Sequence, residues 1–90
     1  MNKAFKITFE LGYDQADTLI QIRQLESRRE QLIKAIKDKG EGRAYDMLLL
    51  QPAFFPAIKK SKPGYDVGQV DSFIYSLKQE VRDLELRLLG

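Results

Sequence analysis

Near the N-terminus, Phe5, Ile7, Phe9 and Leu11 alternate with Lys6, Thr8 and Glu10. A period of two in residues of this kind predicts a short strand over Ala4–Leu11. No other segment reads as a convincing second strand, so either a second chain supplies the partner or the segment lies extended against helices. After Gly12-Tyr13-Asp14 the period changes to that of a helix from Gln15 to Lys39, with Leu19, Ile22, Leu25, Leu32, Ile33 and Ile36 apolar and Arg29 interrupting the stripe. Asp14 or Asp17 is placed to cap it, and Gly40 to stop it. A short helix is expected over Arg43–Leu50, ended by Pro52. Pro52 and Pro56 exclude a long helix through the apolar stretch between them.

The last segment has the clearest pattern. Asp66 followed by Gln69 resembles a capping box, with Asp in the Ser/Thr role. Val70, Ile74, Leu77, Val81, Leu84 and Leu88 then recur at alternating spacings of four and three, a heptad seam. The surrounding Lys78, Glu80, Arg82, Asp83, Glu85 and Arg87 mix both signs, as on a solvated helix surface. Packed on a second chain, the seam makes a dimer. Packed within the chain, it makes an antiparallel hairpin with the first helix, and there Arg29 would sit awkwardly. The regularity of the seam and the shortness of the chain favour the dimer.

Composition narrows the function. The chain has 90 residues with no Cys, His or Trp. That excludes zinc fingers, disulfide frameworks and histidine-assisted nucleophiles. No cofactor or metal is expected, and no catalytic residue. Asp14/Asp17 and Asp83/Glu85 read as caps and surface charge rather than acid–base pairs. The net charge of +2, with 15 basic and 13 acidic residues, argues against a nucleic-acid partner. No apolar run is long enough to span a bilayer and the N-terminus lacks a signal-peptide core, so a cytoplasmic protein is expected. Lys59, Lys60 and Lys62 form the one basic cluster without acidic neighbours in sequence. With Phe54 and Phe55 just before them, they are a candidate contact for an anionic membrane surface. The alternative is that both rings fill the core and the lysines are a solvated loop.

Gly64-Tyr65-Asp66-Val67-Gly68-Gln69-Val70-Asp71-Ser72-Phe73-Ile74 resembles the signature of the DivIVA domain, G-Y-D-x-x-[EQ]-V-D-x-F-[LI], a bacterial family in which it precedes a coiled coil. The resemblance covers Ile58 to Leu89, about a third of the chain. It implies a parallel dimer whose N-terminal end is capped by crossed loops, acting as a scaffold in cell division or polar growth. Some members of that family bind membrane through a loop Phe with a basic neighbour. Others bind the basic tails of cell-wall synthases in a groove near the Tyr and Asp of the motif, which by position are Tyr65 and Asp71. The alternative for that pair is structural: Asp71 serves the helix dipole and Tyr65 packs on Phe73. Lys62 and Pro63 stand where the membrane-binding Phe and Arg are expected, and Ile58 where another Phe is frequent. The 57 residues before Ile58 also exceed the family pattern.

Gly12-Tyr13-Asp14 with Gln15–Ile20 echoes Gly64-Tyr65-Asp66 with Gln69–Ile74 if two residues are missing. This is either a duplicated strand–turn–helix unit or ordinary turn chemistry before a capped helix. The expected fold is mainly α: a short N-terminal strand, a helical hairpin and a C-terminal coiled-coil helix, dimeric through the seam. Residues 1–57 and 58–90 are its two units within one small domain. The expected function is a non-enzymatic, self-associating adaptor meeting a partner protein tail or the inner face of the membrane. Its alternative is a subunit of an unrelated assembly, paired through the N-terminal strand.

Overall fold

The computed structural model describes residues 5–90. It is mostly helical and elongated, 52 × 23 × 17 Å. β1 (Ile7–Thr8) and β2 (Gly12–Tyr13) lead into helix α1 (Gln15–Gly40). A 3-10 turn (Met47–Leu50) follows, then β3 (Lys60–Ser61), β4 (Gly64–Tyr65) and helix α2 (Val67–Leu89).

Each long helix opens on an aspartate. Asp14 accepts from the Asp17 amide and Asp66 from the Gln69 amide, both at 2.9 Å, so each cap satisfies one free N–H of the first turn. Lys37 and Lys39 place positive charge in the last turn of α1, where it opposes the helix dipole.

The helices run parallel. Both caps lie beside the sheet at one end, and at the other Lys39 Nζ donates to the Leu88 and Gly90 carbonyls at 2.7 and 3.1 Å. The antiparallel hairpin expected for packing within the chain is therefore corrected. Residues 43–58 carry the chain back along the helices. Extended at about 3.3 Å per residue, they have the reach to do so. Pro52 and Pro56 keep this strap out of helical conformation. The expected Arg43–Leu50 helix shrinks to Met47–Leu50, with Asp46 accepting from the Leu48 amide.

The heptad seam is filled by the chain's own first helix. Val70, Ile74, Leu77, Val81 and Leu88 are buried and Leu84 packs beside them, against Ile22, Leu25, Leu32 and Ala35 of α1. A second chain is not needed to bury the seam, which corrects its assignment as the dimer contact. Counted from the two caps, the seam positions of the helices correspond: Thr18 to Val70, Ile22 to Ile74, Leu25 to Leu77 and Leu32 to Leu84. Each fully buried leucine stabilises the pair by about 1.5–3 kcal/mol relative to exposure. Arg29 matches Val81 and resolves its awkward position by leaning outward, where its guanidinium meets Glu80 at 3.0 Å.

The strap is pinned at two points. Arg28 Nη2 donates to the Leu49 and Gln51 carbonyls at 3.2 and 2.7 Å and to Glu85 Oε2 at 2.8 Å. Nearer the capped end, Gln21 Nε2 donates to the Pro56 carbonyl at 2.6 Å.

Candidate functional site

The capped end is built from two interleaved strand pairs. The sheet order is β1-β4-β2-β3, all neighbours antiparallel. β4 thus lies between β1 and β2, and β2 lies between β4 and β3, so each half's loop crosses the other half's Gly-Tyr strand. The expected strand Ala4–Leu11 is reduced to Ile7–Thr8, and its partner is Gly64–Tyr65 of the same chain. Ala4 lies outside the described residues.

Glycine is required where the strands cross. A Cβ on Gly64 would come within 2.7 Å of the Gly12 carbonyl carbon and the Tyr13 oxygen, and a Cβ on Gly12 would strike the Tyr65 carbonyl oxygen. Neither glycine has positive φ, so close backbone approach is the reason for the residue rather than conformational freedom.

The hydrogen bonds of the two halves match. The Asp14 amide donates to the Lys59 carbonyl at 2.8 Å, and the Asp66 amide to the Lys6 carbonyl at 2.7 Å. The Lys59 amide donates to Asp17 Oδ2 at 2.8 Å, and the Lys6 amide to Gln69 Oε1 at 2.7 Å. In a capping box the third helical residue reaches back to its own cap. Here Asp17 and Gln69 reach instead to the opposite half. The Gly-Tyr-Asp echo is therefore a pseudo-twofold pair of strand–turn–helix units. Its register differs from the expected one: Asp17 matches Gln69 and Thr18 matches Val70, with no gap in the helices.

The two faces beside this axis differ in chemistry. On one, the Tyr13 hydroxyl donates to Asp71 Oδ1 at 2.7 Å and Lys60 Nζ lies 4.9 Å from the Tyr13 ring centre. A shallow groove of about 500 Å³ continues along α2, lined by Asp71, Ser72, Ile74, Tyr75 and Lys78. On the other face, Tyr65 turns inward onto Phe5, ring centres 5.3 Å apart, and Phe5 also meets Phe73 edge-on at 5.6 Å. There Leu19 takes the position matching Asp71, and Ile7 that matching Lys60.

The structure thus brings Asp71 together with Tyr13, not with the expected Tyr65. The Gly-Tyr-Asp echo was the signal that could have found Tyr13. Asp71 raises the Tyr13 pKa above the ordinary tyrosine value, through the hydrogen bond first, then burial and the carboxylate's charge. A tyrosine whose folded pKa is raised contributes stability that is full below its unfolded value near 10 and lost as pH rises through the folded value. Asp71→Asn should therefore make Tyr13 ionise at lower pH than in wild type. A spectrophotometric titration at alkaline pH, with Tyr13→Phe identifying the component, measures it.

The candidate membrane residues do not form one surface. Phe54 is 86% exposed but sits on the strap, beside Arg23, Gln24 and Arg28 of α1, well along the rod from the caps. Phe55 is half-buried against the core. Lys59 and Lys60 lie in the capped end, and Lys62 is in the crossing loop. The most exposed aromatic ring there is Phe9, 88% exposed in the β1–β2 loop, which sequence reasoning had placed only in a strand. Of the acid–base candidates, Asp14 is a cap and Glu85 pairs with Arg28. No cluster of potential metal ligands occurs among the described residues, and none of their helices is long and apolar enough to cross a membrane. No protein-family model, curated protein or solved structure matches the chain.

Proposed function

We propose that the chain is a non-enzymatic adaptor or scaffold in bacterial cell division or polar growth, acting at the cytoplasmic side and holding a partner protein at its capped end. One observation carries this reading: two crossed Gly-Tyr-Asp strands cap a parallel helix pair within a single chain. That is the architecture the DivIVA resemblance implies for two chains. The partner-binding face is the one with Tyr13, Lys60 and Asp71, because of the two faces beside the axis it is the one that combines an exposed carboxylate, an aromatic hydroxyl and an adjoining groove. A basic, extended tail of a cell-wall synthesis protein suits that carboxylate.

A protein partner is favoured over anionic lipid by the local charge. Lys6, Lys59, Lys60 and Lys62 share the capped end with Glu10, Asp14, Asp17, Asp66 and Asp71, so no strongly positive surface faces a membrane.

A fluorescent fusion in the native bacterium tests the reading. Accumulation at septa or poles is the expected result, and a uniform cytoplasmic signal in dividing cells would count decisively against it. Asp71→Ala should disperse the focus while leaving thermal stability within about 1 kcal/mol of wild type, the usual range for an exposed hydrogen bond.

A further inference from the structure

The strap carries an apolar ridge that the fold leaves in solvent. Pro52-Ala53-Phe54-Phe55-Pro56-Ala57 has no polar side chain, and within it only Phe55 is half-buried. Phe54 stands near its middle, 86% exposed. Single exposed apolar residues are ordinary, whereas a contiguous exposed run marks a contact surface. This run is also held in place. Arg28 donates to the Gln51 carbonyl just before it, and Gln21 to the Pro56 carbonyl within it. Pro52 and Pro56 lack N–H donors, so the ridge is not built to add another strand through its backbone. Recognition there falls to side chains.

A cleft lies on each side of the Phe54 ring. One, of about 540 Å³, separates the strap from α1 and is bordered by Arg23. The other, of about 320 Å³, separates the strap from α2 and is bordered by Lys78 and Arg82. Arg28 and Glu85 also line these clefts, and they neutralise each other. Arg23, Lys78 and Arg82 are exposed, and none has an ion-pair partner among the described residues. The ridge is thus flanked on both helices by unpaired positive charge, with no unpaired carboxylate in either cleft.

We infer that the strap face docks an acidic segment of a partner protein, an extended stretch in which carboxylates alternate with apolar side chains. The apolar side chains pack on Phe54 and into the clefts. The carboxylates reach Arg23 on one side, and Lys78 and Arg82 on the other. Lys78 and Arg82 are one helical turn apart, about 5–6 Å. Alternate residues of an extended chain are about 6.6 Å apart, so two carboxylates of one segment can meet both. Because the ridge is already ordered, little is lost in fixing it on binding. A protein segment suits the site better than a bilayer does. The clefts are concave and need side chains to fill them, and lipid-binding clusters carry about 4–8 basic residues where this face has three. The charge preference is opposite to that of the Tyr13–Asp71 face, so the rod presents two docking faces that do not compete for one ligand. The inference rests on the strap alone, so its failure would leave the reading of the capped end standing, and the reverse also holds.

Fluorescence anisotropy with the full chain tests it. The probe is a short labelled peptide of alternating glutamate and leucine, and its binding should saturate and weaken as salt is raised. Lys78 also borders the groove beside Asp71, so the substitutions are made at Arg23, Phe54 and Arg82. All three are exposed, and circular dichroism should show each variant folded as wild type. Phe54→Ala, Arg23→Glu and Arg82→Glu should each weaken binding by about tenfold or more. A peptide of glutamate alone should also bind at least about tenfold more weakly, since it leaves the ridge unused. Asp71→Ala should change nothing. A peptide that stays unbound at millimolar protein overturns the inference. So does binding that ignores the three substitutions, or that Asp71→Ala abolishes. Phosphatidylglycerol vesicles supply the competing outcome: Phe54-dependent sedimentation with vesicles by a chain that leaves the peptide unbound assigns the face to lipid instead.

Discussion

Replacing either crossing glycine with alanine should unfold the capped end. At Gly64 the added methyl meets the backbone of Gly12 and Tyr13, and at Gly12 it meets the Tyr65 carbonyl. Backbone cannot rotate aside as a side chain can. Relief requires the central strands β2 and β4, paired at Tyr13 and Tyr65, to separate. The expected loss is about 3 kcal/mol or more for each substitution, at the upper end for overpacking. In a domain of this size each kcal/mol lowers Tm by roughly 4–8 °C, so thermal unfolding followed by circular dichroism should show a shift of at least about 12 °C. Gly40→Ala is the matched control. Nothing lies within 4 Å of a Cβ there, and the site is the last turn of α1. It should be neutral or stabilising by up to about 1 kcal/mol. Equal effects at Gly40 and Gly64 would refute the steric account of the motif.

Loss of the Arg28 side chain should release the strap. Its guanidinium joins the Leu49 and Gln51 carbonyls to Glu85, and the ion pair is mostly shielded, with side-chain exposures of 12% and 19%. Arg28→Ala leaves a shielded carboxylate and two strap carbonyls without this donor. Breaking a buried pair from one side costs about 3–5 kcal/mol, and the residual exposure here places the expectation at the lower end, about 3 kcal/mol. Arg28→Ala with Glu85→Leu should be less destabilised than Arg28→Ala alone, since the stranded charge is removed as well. Hydrogen exchange locates the effect. Strap amides, including Leu49 and Gln51, should lose protection before those of Leu25 and Leu77. Simultaneous loss throughout the chain would show that the strap does not open separately.

These two sites show what the sequence made legible. Both aspartate caps, both long helices and the apolar stripe of the second could be read directly, because they depend on neighbours within one or two turns; in the first helix Leu19 and Ile33 of the expected stripe are exposed and Ala35 is buried instead. Of the carboxylates read as caps and surface charge, Asp14 is a cap and Glu85 forms a mostly shielded ion pair with Arg28. The pairing of Tyr13 with Asp71 was not legible because Tyr13 stands in β2 and Asp71 in the first turns of α2, 58 residues on. Phe9 was missed because a period of two makes it look like half of a strand, when in fact it stands in a loop.

The local pattern therefore determined that this chain forms two capped amphipathic helices, each introduced by Gly-Tyr-Asp. It did not determine that the helices are parallel, that each satisfies the other's seam, or that the N-terminal strand finds its partner in cis. Those outcomes were decided by the tertiary structure. A heptad seam specifies an apolar partner but not which chain supplies it. The extended strap makes the parallel return possible, and the close approach of Gly12 to Gly64 lets the two halves cross. Neither is a property of any single segment, so neither could be read until the halves were brought together.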